Sequence, residues 1–403
     1  MSNLTTEWTE YELGELLSYE QPTPYIVEST DYNDNYKTLV LTAGKSFIIG
    51  YTNETAGIYD KLPVIIFDDF TTSTQYVNFS FKVKSSAMKI LTANTDLVLP
   101  KYIFWRMQLI EFDHSTHKRY WIQQYSKIKV KIPSIPEQER IVAKTEELFS
   151  ELDNNIETLK NTKQQLDVYR QAVLKSAFEG AFTHHEVSEL DLDWASEEET
   201  KDLPTIPKEW KYVALSKLGD LGRGKSKHRP RNDPKLFEGG KYPFLQTSEV
   251  KTAKRYITEY SKQYGEFGLQ QSKLWPKGTL CITIAANIAE TAFLGIDACF
   301  PDSVVGFTPY EHILPEYIKH FIESQKLKLW AFAPATAQKN INLDTLENLI
   351  IPYCDVNEQK AVIAEIESRI TICDNIEKTV DIALKQAEAM RQSILKKAFE
   401  GEL

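Results

Sequence analysis

Residues 170–180 read RQAVLKSAFEG and residues 391–401 read RQSILKKAFEG, identical at eight of eleven positions and 221 residues apart. The same offset carries Glu137-Gln138 onto Glu358-Gln359, Ile141-Val142 onto Val362-Ile363, and Asp153-Asn154 onto Asp374-Asn375. A second echo, at an offset of 202, opens each half: Trp8, Leu13 and Leu16 match Trp210, Leu215 and Leu218. The repeated parts are similar in sequence and the parts between them are not. The order is variable block, helix, linker, variable block, helix.

The repeated parts have the pattern of long helices. Phe149, Leu152, Ile156, Leu159, Lys163, Leu166, Arg170, Val173 and Ala177 alternate in steps of three and four, an a/d seam. Ile370, Cys373, Glu377, Val380, Leu384, Ala387, Arg391, Ile394 and Ala398 repeat it, with an arginine at the same seam position in both copies. Start signals are Ser134-x-x-Glu137 with Pro136, and Asp355-x-x-Glu358; Gly180 and Gly401 are the stops. A helix from about Glu137 to Phe178 is roughly 60 Å long. Neither copy is apolar enough to be buried alone, so each needs the other, and antiparallel pairing would put the variable blocks at opposite ends of a rod. Within the blocks, Lys45–Gly50, Val64–Phe67, Val77–Val83 and Leu280–Ile284 read as strands and Leu314–Leu329 as helix. The blocks are therefore mixed α/β.

Composition sets limits. The net charge is −10, charged residues are 26% and apolar residues 42%, a globular balance that excludes wholesale disorder. No stretch approaches the roughly 18 apolar residues of a membrane span, and MSNLTTEWTE lacks the regions of a signal peptide. The four cysteines, Cys281, Cys299, Cys354 and Cys373, form no CxxC pair, which favours a reducing cytoplasm over disulfides or zinc. An acidic balance alone argues against nucleic acid, but the charge is uneven. EVSELDLDWASEEETKD (186–202) holds eight acids and one lysine, and with Leu203–Pro207 reads as a solvated linker. RGKSKHRPR (223–231) holds five cations: Arg223, Lys225, Lys227, Arg229 and Arg231.

GDLGRGKS (219–226) fits the phosphate-loop pattern letter for letter. That loop works only where it leaves a buried strand and its serine opens a helix. Here KHRPRNDP follows Ser226, and its two prolines forbid the helix. The reading is a glycine-rich basic loop, not an ATPase. No HExxH is present, and His114, His117, His184 and His185 lack companions at metal-ligand spacing, so no metal site is expected. Asp68-Asp69 and Glu111/Asp113 read as strand-end or turn residues rather than a nuclease site.

The duplicated helix with EQ near its start and LKxAFEG at its end resembles the specificity subunit of type I restriction–modification systems. So do Pro207 and Trp210 opening the second block, ATAQKNINLDTLENLIIP at 335–352, and the pairs Ile132-Pro133 and Ile351-Pro352, which mark the same exit from each block. The resemblance covers essentially the whole chain, with one departure. The first block lacks a Gln-x-Asn-Ile phrase, so its recognition loop, around YWIQQYSKIKVKIP (120–133), is expected to be built differently.

The resemblance implies an α/β (α+β) chain with a pseudo-two-fold internal repeat. Target-recognition domains at 1–133 and 210–352 would be separated by helical regions at 134–182 and 353–403 that pair as an antiparallel coiled coil, with an acidic linker at 183–209. It implies a non-catalytic reader of double-stranded DNA, each domain taking one half of a bipartite site while the coiled coil sets the spacer. It further implies two modification (methyltransferase) subunits docked on the helices, and restriction subunits. No cofactor is expected in this chain; S-adenosylmethionine, ATP and Mg belong to the partners. The alternatives from the residues alone are a coiled-coil scaffold joining two protein-binding domains without binding DNA and, last, a phosphate-loop ATPase using GDLGRGKS.

Positive side chains are the candidates for phosphates and amides for base edges. In the second block these are Arg223, Lys225, Lys227, Arg229 and Arg231 for phosphates, with Gln246, Thr247, Gln338, Lys339 and Asn340 for base or groove contacts. In the first block they are Lys45, Thr71, Thr72, Lys84, Lys118, Arg119 and Tyr120.

Overall fold

A computed structural model describes residues 8–43, 46–113, 119–183, 192–332 and 340–402. It divides into two compact units, Met1–Lys160 with Val380–Leu403, and Asn161–Thr379. The two long helices, Ile135–Phe178 and Val356–Glu400, each contribute to both.

The strands of the first unit are β1 (Thr9–Glu12), β2 (Leu17–Glu20), β3 (Thr38–Leu41), β4 (Ile48–Thr52), β5 (Val64–Asp68), β6 (Thr74–Val77), β7 (Phe81–Val83), β8 (Met88–Ala93) and β9 (Lys129–Ile132). They make a sheet of order β2-β8-β5-β6, a second of order β4-β3-β7, and the pair β1-β9. The run VIIFD of β5 is buried at every position because both faces are covered. Ile65 and Phe67 pack with Leu91 against the helix Pro100–Met107, while Val64 and Ile66 pack with Met88 and Ile90 on the other face. The run Val77–Val83 is not one strand: it divides between β6 and β7.

The second unit has β10 (Lys211–Ala214), β11 (Gly219–Arg223), β12 (Tyr242–Phe244), β13 (Tyr256–Ile257), β14 (Lys262–Tyr264), β15 (Leu274–Trp275), β16 (Leu280–Thr283), β17 (Thr291–Leu294), β18 (Ala298–Cys299), β19 (Val304–Pro309) and β20 (Ile350–Tyr353). Its sheets are β11-β19-β16-β17-β13, β14-β12-β18-β15 and the pair β10-β20. The helix expected at Leu314–Leu329 is two, Pro315–Ser324 and Lys326–Phe332. The end of the acidic stretch is not free linker. Leu192 and Trp194 pack on the core of this unit, and the Ala195 N–H donates to the Tyr212 carbonyl at 2.8 Å.

The variable blocks share an architecture that their sequences hide. The order β2-β8-β5-β6 is that of β11-β19-β16-β17. Register makes the match residue by residue: Leu17 pairs with Ala93 as Gly219 pairs with Pro309, and Ile65 with Leu91 as Leu280 with Phe307. The pairs β1-β9 and β10-β20 correspond too, with Tyr11 opposite Val130 and Val213 opposite Ile351. This corrects the reading of the two Ile-Pro pairs. They lie on equivalent strands but two positions apart, because Ile132 takes the place of Tyr353, not of Ile351.

The long helices explain the repeat. Every residue of both a/d seams is buried or half-buried. In the second unit Arg170 bonds Asp374 at 2.8 Å and Glu377 at 2.7 Å. In the first, Arg391 pairs with Asp153, the duplicate of the Arg170–Asp374 contact with the roles exchanged between helices. In the second unit Lys163 also meets Glu377, at 3.3 Å, so the later residue of one helix pairs with the earlier residue of the other and the helices there run antiparallel. Gly180 (φ +75°) and Gly401 (φ +80°) supply the left-handed turn after each helix, with Ala181 N–H on the Ser176 carbonyl and Glu402 N–H on that of Lys397, both at 3.0 Å.

The shared AFEG places equivalent side chains in equivalent cores. Phe178 meets Tyr317 and Phe321 at 5.0 and 5.1 Å, and Phe399 meets Tyr102 at 4.8 Å. The shared glutamine does likewise. Buried Gln138 accepts from Leu99 N–H at 2.8 Å and donates to the carbonyls of Leu97 and Pro133. Buried Gln359 accepts from Leu314 N–H at 2.9 Å and donates to the carbonyls of His312 and Cys354. Each clamps the start of the helix that receives the phenylalanine. Among the described residues no helix is long and apolar enough to cross a membrane.

Candidate nucleic-acid interface

The segment GDLGRGKS is mostly strand. Gly219–Arg223 form β11, paired along its length with β19. Its glycines are there because partners approach closely: a Cβ on Gly222 would lie 2.9 Å from the Trp275 ring, and one on Gly224 2.3 Å from the Phe300 carbonyl oxygen. No helix begins at Ser226, so the backbone offers no phosphate cradle.

The basic loop that follows is braced from within. Arg223 donates through Nε to the Asp302 carbonyl at 3.0 Å, and Arg231 forks onto both carboxylate oxygens of Asp302 at 2.9 Å. Arg229 donates to the carbonyls of Ser226 and His228. His228 meets Asp233 at 2.7 Å and holds that carboxyl below its usual range. Lys225 and Lys227 are exposed and, among the described residues, make no side-chain ion pair or hydrogen bond. They are the uncommitted cations of the loop.

Two adjoining clefts gather the other candidates of this block. One of about 260 Å³ is lined by Ser226, Arg231, Gln246, Thr247, Lys262 and Ser303, among others. Another of about 240 Å³ is lined by Arg223, Arg231, Ala285, Asp302, Ser303 and Asn340, among others. Gln246 and Thr247 sit where the helix Thr247–Thr252 begins, the Gln246 N–H donating to Glu249 at 3.1 Å. Asn340 pairs with Ala285 in an isolated antiparallel bridge. Gln338 and Lys339 lie outside the described residues, as do Lys45 and Lys118 in the first block.

In the first block, Thr71 and Thr72 lie in the loop between β5 and β6, and Thr72 has a left-handed backbone (φ +56°). The loop is tied at its base. Asp68 accepts from the N–H groups of Phe70 (2.9 Å) and Thr71 (3.3 Å), and Asp69 from that of Trp121 (2.9 Å). Asp69 also pairs with Lys89 at 3.1 Å, both side chains buried. These carboxylates are structural. Lys84 and Arg119 are exposed. Tyr120 is a correction: it is 1% exposed and packs edge-on against Phe112 at 4.9 Å, so its side chain cannot meet DNA. Its N–H bonds the Asp69 carbonyl as that of Ile341 bonds the Ile284 carbonyl, so Tyr120 fills the core position of Ile341. Asn340 and Ile341 therefore do have counterparts in the first block, Arg119 in the place of Asn340 and Tyr120 in that of Ile341.

Residues 207–386 match the family model of the type I restriction modification DNA specificity domain. The chain is 32% identical to the specificity subunit of the type I restriction enzymes EcoR124I and EcoR124II of Escherichia coli, over 97% of this chain and 94% of that one. The chain belongs to the specificity subunits of type I restriction–modification systems. The specificity subunit of EcoBI, also from Escherichia coli, is 26% identical over 68% of this chain and 58% of its own. Among solved structures, a chain from work on complex assembly and conformational transition of the type I system matches over all of both chains with a TM-score of 0.71 at 16% identity. The HsdS subunit of Thermoanaerobacter tengcongensis matches with a TM-score of 0.54 at 17% identity, over 100% of this chain and 99% of that one. At these identities the likeness is of fold. A type I specificity subunit is a DNA-sequence recognition subunit, not an enzyme, and neither the ATPase nor the scaffold reading applies.

Two residues with a claim on the interface escaped sequence reasoning. Register puts Phe70 in the place of Ala285, and Gln21, the residue after β2, in the place of Arg223. Neither carries a charge or a motif; their only signal is position on the sheet.

Proposed function

We propose that residues 1–133 and 210–352 are target-recognition domains, each reading one half of a bipartite, asymmetric DNA site. The helical regions 134–182 and 353–403 set the distance between halves and dock two modification subunits. Those partners bring S-adenosylmethionine and methylate adenine; restriction subunits add ATP- and Mg-dependent cleavage. The observation that carries the reading is the pairing of like frame with unlike surface. The two blocks share strand order and register, yet the residues around the second block's cleft, Arg223, Ala285, Asp302 and Asn340, stand where the first has Gln21, Phe70, Ser86 and Arg119. A common scaffold with different side chains at one place suits the recognition of two unrelated sequences. In the second block Lys225 and Lys227, with Arg223, Arg229 and Arg231, supply phosphate contacts, while Gln246, Thr247, Gln338, Lys339 and Asn340 face base edges or the groove. In the first, Lys45, Thr71, Thr72, Lys84, Lys118 and Arg119 do so.

The test is to exchange residues 1–131 for the matching block of another type I specificity subunit and to sequence the methylome of cells carrying the chimera. One half-site changes and the other keeps its letters. A simultaneous change of both halves would show that the blocks do not read independently.

A further inference from the structure

The strand register gives three residues of the first block, which charge and motif leave hidden, the positions of three cleft residues of the second. The inference rests on the reading of the two blocks as half-site readers. In the second block Arg223, Ala285 and Asn340 line one cleft, Ala285 paired with Asn340 across an isolated bridge. Gln21, Phe70 and Arg119 occupy the same three positions of the first block, by the register of β2 on β8, of β5 on β8, and of the Tyr120 N–H on the Asp69 carbonyl. All three are exposed, Phe70 at 46% despite being a large apolar ring.

An exposed phenylalanine on a floppy loop would mean little. This one is held. Its own N–H is bonded to the Asp68 carboxylate, Thr72 N–H to the Asp68 carbonyl, and the next carboxylate, Asp69, is locked by buried Lys89 and the Trp121 N–H. The left-handed Thr72 turns the chain back into β6 directly after it. A ring exposed to water on a loop whose backbone is pinned at the rim of a sheet has an apolar surface to cover. The chemistry of the three matches base edges in the major groove: arginine suits guanine, glutamine suits adenine, and phenylalanine suits the thymine methyl group.

We propose that Gln21, Phe70 and Arg119 form the base-reading edge of the first recognition domain, with the Phe70 ring seated on a thymine methyl group of the first half-site. The loop Phe70-Thr71-Thr72 then presents a phenyl and two methyl-bearing side chains toward the DNA.

The experiment uses the specificity subunit assembled with its modification subunits and duplexes carrying the site mapped by methylome sequencing. Each thymine of the first half-site is replaced in turn by deoxyuridine, which removes only the methyl group. With the wild-type complex, one substitution weakens binding about four-fold, the worth of a single buried methyl group. Phe70→Ala weakens binding to the thymine duplex by a similar factor and makes that one deoxyuridine substitution silent, while the second half-site is read as before. Phe70→Leu, which keeps an apolar end, retains part of the discrimination. Arg119→Ala and Gln21→Ala relax letters in the first half-site only.

Losses from Phe70→Ala and from deoxyuridine that multiply at every thymine would overturn the proposal, as would an unchanged first half-site in a Phe70→Ala complex that still binds. A ring acting as a wedge between base pairs gives the first of these results. A wild-type complex with no preference for the mapped site over a scrambled one would instead bring down the half-site reading itself.

Discussion

The buried pair Lys89–Asp69 offers a sharp test of the correspondence between the two blocks. By register Lys89 stands where the second block has Val305, and Asp69 where it has Ile284. One half thus solves with an ion pair what the other solves with two aliphatic side chains. Removing one member of a buried pair strands the other charge and costs about 3–5 kcal/mol. Lys89→Val and Asp69→Ile should each fall in that range. Making both changes installs the second block's solution, and a buried pair exchanged for apolar residues of similar volume is close to neutral. One cost remains, because Asp69 also accepts the Trp121 N–H at 2.9 Å. A stranded buried donor costs about 1–3 kcal/mol, so the double variant should lie about 1–3 kcal/mol below wild type and above either single variant. Urea unfolding followed by tryptophan fluorescence reads this directly, since the Trp121 ring lies against Phe67 in the same core. Single changes that each cost under about 1 kcal/mol, or a double change equal to their sum, would refute the equivalence of the two sites.

Gln359→Ala deprives Leu314 N–H and the carbonyls of His312 and Cys354 of their buried partner, and should destabilise by about 2–4 kcal/mol. Hydrogen exchange should quicken at the Leu314 amide first, and unchanged protection there would show the clamp to be dispensable. The Arg170 hydrogen bond holds Glu377 below its ordinary pKa of 4.5, against the opposing effect of burial, and Lys163 adds to the lowering. A carboxylate with a depressed folded-state pKa adds stability above its unfolded value and loses it as the pH falls through the folded one. Thermal melts should therefore drop as the pH falls below about 4.5, and Arg170→Ala should shallow that drop; equal slopes would exclude the cluster as its source.

The helices were legible almost to the residue, for a physical reason. A seam of alternating threes and fours, an Asp355 cap whose carboxylate accepts from Asn357 and Glu358 N–H, and glycines at left-handed stops are all local features. The shared sheet topology was not legible, because what the two blocks hold in common is only burial. Ile65 and Leu280, Phe67 and Ile282, and Leu91 and Phe307 agree in being apolar and in little else. The Ile-Pro pairs misled because proline and isoleucine recur at strand ends whatever the register. Tyr120 misled because it follows two cations in sequence, whereas its N–H bond to the Asp69 carbonyl seats the residue in the core and leaves Arg119 at the surface.

The same contrast divides the site. Arg223 to Arg231 announced itself because five cations crowd nine residues, and the fold then commits Arg231 to Asp302 and gives Lys225 and Lys227 no side-chain partner among the described residues. Gln21, Phe70 and Arg119 are some fifty residues apart from one to the next, and only strand pairing brings them to equivalent places. Residues that must do the same work in both halves, the AFEG turn docking on Tyr102 or Tyr317 and the glutamine that clamps the next helix, kept the same letters. Residues that stand at the same cleft position with different chemistry did not. Sequence divergence inside a duplicated frame is therefore informative once register is known: positions of equal register that stay accessible to solvent and differ in chemistry are the ones to test first as the separate reading positions of each half.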